Sequence, residues 1–104
     1  MTTSVMLGML EKYKKHSMVT DATSETAKAF IDLIPFHSVA LPKMSVDGSG
    51  GLLLIWQTST RTLVTIDDER LHYVTNASTS KAEYHDNIPF DGTIPEEILQ
   101  CITG

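Results

Sequence analysis

The chain is predicted to be an α+β domain, an antiparallel meander of four to five strands with two helices before it and one short helix after it. Three observations predict this. Apolar residues recur at helical spacing through the first third. From Phe36 onward, short β-rich segments alternate with turn residues, and the connections between them are too short for parallel crossovers. A proline-initiated apolar stripe closes the chain.

Residues 4–16 read as the first helix, with Ser4 as its cap and Met6, Met9, Leu10 and Tyr13 on one side. Lys12, Lys14, Lys15 and His16 gather in its last turn, where positive charge complements the helix dipole. After a polar linker, Asp21–Leu33 reads as the second helix, capped by Thr20 or Asp21 and packed through Ala27, Phe30, Ile31 and Ile34. Pro35 ends it. Val39–Val46 is extended, and Pro42 makes it an edge strand.

Asp47-Gly48-Ser49-Gly50-Gly51 is a glycine turn without the flanking elements of a phosphate loop. The strand Leu52–Thr58 follows, carrying the single tryptophan, Trp56. Its unbroken apolar run predicts the central strand of the sheet, covered on both faces. A turn at Ser59-Thr60-Arg61 leads into a strand over 62–67, and Asp67-Asp68-Glu69 turns into Leu71–Asn76. Beyond the polar loop Ala77–Ser80, Lys81–His85 returns beside that strand. Thr93-Ile94-Pro95-Glu96 has the spacing of a capping box, opening a helix that buries Ile94, Ile98, Leu99 and Ile102.

At 104 residues and 41% apolar, residues 1–104 form a single domain with a modest core. One cysteine, Cys101, allows no internal disulfide, so the expected compartment is the reducing cytoplasm. No signal peptide or long apolar run is present, so no membrane contact is expected. The net charge of −5 disfavours nucleic acid. That excess lies entirely in residues 53–104, so a basic partner would prefer this half.

Several segments resemble a family of small, largely uncharacterised proteins from bacteria and their mobile elements. These are Ala27-Lys28-Ala29-Phe30-Ile31-Asp32-Leu33-Ile34-Pro35, Pro42 followed by Asp47-Gly48, the strand closing on Trp56, Arg61 opening the next, and Ile88-Pro89-Phe90-Asp91-Gly92-Thr93-Ile94-Pro95. The resemblance covers residues 20–102. Members typically carry Asn-Trp-Asp-Gly between their two helices, where this chain has Ser17-Met18-Val19. The resemblance implies a shared fold and a bacterial or mobile-element origin.

Candidate chemistry is sparse. A hairpin centred on Ser78-Thr79 would set His72 opposite His85 on one sheet face, with Glu83 nearby, the donors of a two-histidine, one-carboxylate metal site. Tyr84-His85-Asp86 cannot act as a triad, because strand neighbours point to opposite faces. Ser49 lacks a nucleophile elbow, and Cys101 sits among core residues. No catalytic residue, metal or cofactor is therefore expected. The reading is a small acidic regulator or inhibitor that binds another protein, as antitoxins, immunity proteins and anti-defence proteins do. Its contact residues would be Asp67, Asp68, Glu69, His72, Glu83 and His85. A small-molecule or metal-binding protein using His72 and His85 is the alternative, and an uncovered sheet face would allow a homodimer.

Overall fold

The computed structural model describes residues 2–36, 38–57, 61–77 and 79–103. Two helices, α1 (Thr2–Lys15) and α2 (Asp21–Leu33), precede five strands, β1 (Lys43–Val46), β2 (Leu52–Gln57), β3 (Arg61–Asp67), β4 (Arg70–Thr75) and β5 (Glu83–Pro89). A last helix, α3 (Glu96–Ile102), follows. The strands form one antiparallel sheet in chain order, so β3, and not the tryptophan-bearing β2 expected from its apolar run, is the central strand, and β1 and β5 are the edges. The fold is the α+β meander that the sequence predicts.

Helix α1 starts two residues before the expected Ser4 cap, and Ser4 lies within its first turn. It ends in a Schellman motif: the Met18 N–H donates to the Tyr13 carbonyl and the Ser17 N–H to that of Lys14, with Ser17 at φ 57°. Helix α2 keeps its predicted bounds. Its Thr20 side chain accepts the Thr23 N–H at 3.0 Å, and Ile34 turns extended before Pro35.

All three helices pack on one face of the sheet. Met6 and Leu10 of α1, Ala27, Phe30 and Ile31 of α2, and Ile98 and Ile102 of α3 share a core with Leu52, Leu54, Trp56, Val64, Ile66, Leu71 and Tyr73. The expectation that β2 is covered on both faces is therefore wrong. Leu52, Leu54 and Trp56 are fully buried, whereas Leu53 and Ile55 on the outer face are only half-buried. Trp56 satisfies its indole N–H by donating to the Ala40 carbonyl at 3.0 Å.

Two end-of-chain expectations also change. Strand β5 begins at Glu83 rather than Lys81 and runs to Pro89. The capping box of α3 does not form, because the Thr93 hydroxyl and N–H both bond to Asp91 Oδ1, at 2.7 and 3.0 Å, and Pro95 supplies no side-chain cap. Buried Ile94, Ile98 and Ile102 anchor the helix as predicted, with Leu99 half-buried. Residues 58–60 and Ser78, on which two of the predicted turns fall, lie outside the described residues.

Candidate functional site

The histidine pair predicted for one sheet face is divided between two faces. Thr75 faces Glu83, Val74 faces Tyr84 and Tyr73 faces His85, one residue away from the expected register. Further along, Leu71 faces Ile88, so Asp86 and Asn87 together oppose His72 in a β-bulge, with Asn87 at φ 59°. A slip of one residue exchanges faces, and His72 and His85 part company.

His72 lies on the outer face, where its Nδ1 accepts the Asn87 N–H at 3.0 Å. Asp86 Oδ1 lies 3.6 Å from that same nitrogen. Nδ1 is thus engaged as an acceptor from the bulge backbone, with the Asp86 carboxylate beside it. His85 lies on the helix-covered face, stacked on Tyr73 with centroids 4.6 Å apart and planes at 19°. Its Nε2 is 3.9 Å from Glu83 Oε2 and has no hydrogen-bond partner among the described residues. The Tyr73 hydroxyl donates to Glu97 Oε2 at 3.3 Å. Burial chiefly, then the charge and hydrogen bond of Glu97 and the charge of Glu83, holds that hydroxyl's pKa above its ordinary value. Among the described residues no cluster of three His, Cys, Asp or Glu side chains is placed to hold a metal ion.

The acidic turn between β3 and β4 divides in another way. Asp67 and Glu69 are exposed. Asp68, at φ 54°, is engaged within the fold: its carboxylate lies 2.6 Å from Thr20 Oγ1, and its N–H donates to Thr23 Oγ1 at 2.8 Å. It fastens the first turn of α2 to the β3–β4 hairpin while remaining exposed.

Beside this clasp runs an open groove of about 510 Å³, lined by Glu25, Thr26 and Ala29 of α2, Glu69 and Arg70 of the hairpin, and Pro89 and Phe90. The Phe90 N–H donates to the Glu69 carbonyl at 3.0 Å, and the Phe90 ring packs at 6.1 Å on Phe30, fixing the floor. Glu25 and Glu69 bring carboxylates to its lining and Arg70 a guanidinium, which donates to the Asn87 carbonyl at 3.4 Å. Glu25 and Ala29 share one side of α2 by their spacing of four. Their meeting with Phe90, far along the chain, has no local signature. Of the six residues proposed from sequence, only Glu69 lines this groove, with Asp67 and Asp68 adjoining. His72 is on the outer face, and Glu83 and His85 are at the opposite end of β5.

No family model, curated protein or solved structure matches this chain. No helix among the described residues is long and apolar enough to cross a membrane.

Proposed function

We propose that the protein is a non-catalytic regulator or inhibitor that works in the cytoplasm by seating a basic, partly apolar segment of another protein in the groove between α2 and the β3–β4 hairpin. One observation carries this reading: an open recess whose lining sets two carboxylates, Glu25 and Glu69, against the single guanidinium of Arg70, with Ala29, Pro89 and Phe90 beside them. An Arg or Lys side chain can lay its apolar stem on such apolar groups with its charge against the carboxylates. The net charge of −5 adds long-range attraction for a basic surface, which accelerates encounter. The resemblance to small proteins of bacteria and their mobile elements supports a regulatory role of the antitoxin, immunity or anti-defence kind.

The test is affinity capture from the producing cell with two baits, the wild-type chain and a Glu25→Lys/Glu69→Lys variant. Both positions are exposed, so the variant folds. A captured protein should be lost with the variant, its affinity falling about a hundredfold for two reversed charges, and its association should slow as salt rises. A partner held equally by both baits would place the interface elsewhere and sink this reading. Asp68 is unsuitable for such a test, because its reversal breaks the clasp to Thr20.

A further inference from the structure

The backbone of Asn87 is held on both sides by side chains of β4. His72 Nδ1 accepts its N–H at 3.0 Å, and the Arg70 guanidinium donates to its carbonyl at 3.4 Å. Asn87 sits at φ 59°, off the strand path, so these two bonds stand in for the ladder bonds that the bulge interrupts. From here the chain runs directly into the groove. Ile88 rejoins the ladder opposite Leu71, Pro89 and Phe90 line the groove, and Arg70 lines it too. Asn87 therefore connects His72 to the groove by two routes, along β5 and across to Arg70.

We propose that His72 is a proton-operated latch on the β5 wall of the groove. The neutral imidazole accepts the Asn87 N–H and holds the bulge in place. In the imidazolium both ring nitrogens are donors, so Nδ1 meets that N–H donor to donor, and no rotation of the ring restores an acceptor. A second partner stands beside it. Asp86 Oδ1 lies 3.6 Å from Nδ1, just outside hydrogen-bond range and within reach of a small shift of the ring. Proton uptake thus exchanges one defined arrangement for another, the Asn87 N–H for the Asp86 carboxylate. On the reading that the groove is the binding site, a partner is held while His72 is neutral and loosened when it is charged.

Among the described residues, the charged and titratable groups on the outer face near this ring are Asp86 and Tyr84 on β5, Asp67 on β3 and Arg70 on β4 itself. The residue directly opposite on β3, Thr65, is uncharged. All three helices lie on the other face.

A pH titration of the free full chain, followed by two-dimensional NMR from about pH 8 to about pH 5, tests this without any partner. The Asn87 amide signal should move with the midpoint of the His72 ring. Its protection against hydrogen exchange should fall about fivefold across that midpoint, the effect of one lost hydrogen bond. Amide signals of Arg70, Phe90 and Ala29 should follow with the same midpoint. His72→Asn sets a carbonyl oxygen near the place of Nδ1 and takes up no proton, so this midpoint should vanish from all four signals. Asp86→Asn leaves the charged ring without its carboxylate, so the Asn87 signal should need a lower pH to move. Asp86 is exposed, so this variant keeps the test sound even if His72→Asn fails to fold. An Asn87 amide that ignores the His72 titration, or that still moves in His72→Asn, would overturn the latch. Groove signals that stay fixed while Asn87 moves would overturn its link to the groove. Both outcomes are separate from the binding role of the groove, which capture with the Glu25→Lys/Glu69→Lys variant decides.

Discussion

Tyr73 lies at the join of β4, β5 and α3, its ring under His85 and its hydroxyl on Glu97. Ionising it would place a phenolate beside two carboxylates in a buried position, which is why its pKa is raised. A folded-state pKa above the unfolded value near 10 means that the neutral hydroxyl's contribution is complete below about pH 10 and is lost as pH rises through the folded pKa. Thermal unfolding followed from about pH 9 to about pH 11 should therefore show the wild type losing stability faster than Tyr73→Phe. Equal slopes for the two proteins would show that the hydroxyl contributes nothing here. Residue-level features of this kind were only half legible in the sequence. The alternation of β4 marks Tyr73 as inward-facing, but its neighbours His85 and Glu97 depend on a register and a helix position that no local pattern specifies.

The joints between elements rest on a few polar residues. Thr20 caps α2, touches Asp68 of the β3–β4 hairpin and donates its N–H to the Gly50 carbonyl at 3.1 Å, so one residue joins a helix to two hairpins. Gly50 sits at φ 93°, and a Cβ there would come within 2.9 Å of the Thr20 methyl, so glycine is required on both counts. Thr20→Ala should cost about 1–2 kcal/mol, lowering the melting temperature by several degrees, whereas Thr20→Ser should keep most of the stability. Calorimetry of both variants decides this, and equal losses would deny the hydroxyl its role. The cap itself was visible as a threonine before an apolar periodic run, but the 48-residue reach to Asp68 was not. Helix and strand positions were read correctly wherever an apolar period is strong, as in α2 and β3. The misreadings fall where polar side chains rearrange the backbone. Asp91 draws Thr93 away from its capping position, and the Asp86–Asn87 bulge shifts the β4–β5 pairing in a strand too polar to declare its register. The unbroken run Leu52–Ile55 implied burial on both sides because an apolar outward residue looks the same in sequence whether its cover belongs to this chain or to another.

For the molecule as a whole, the groove lies at one end of the sheet, where the β3–β4 hairpin and the end of β5 meet α2. The groove was the least legible part, since α2, the hairpin and Phe90 contribute to it from three separate stretches, and only tertiary packing brings them together.

The chain-order sheet has a kinetic corollary. Each strand pairs with its immediate predecessor, so every ladder closes a short loop and little chain entropy is lost before contacts form. Hairpins can therefore zip up one after another, while the inner face stays wet until all three helices seat on it, bringing Met6, Leu10, Phe30 and Ile31 from before the sheet and Ile98 and Ile102 from after it. The rate-limiting event should be the seating of the helices, so in stopped-flow refolding Phe30→Ala and Ile98→Ala should slow the reaction more than a substitution in any single hairpin.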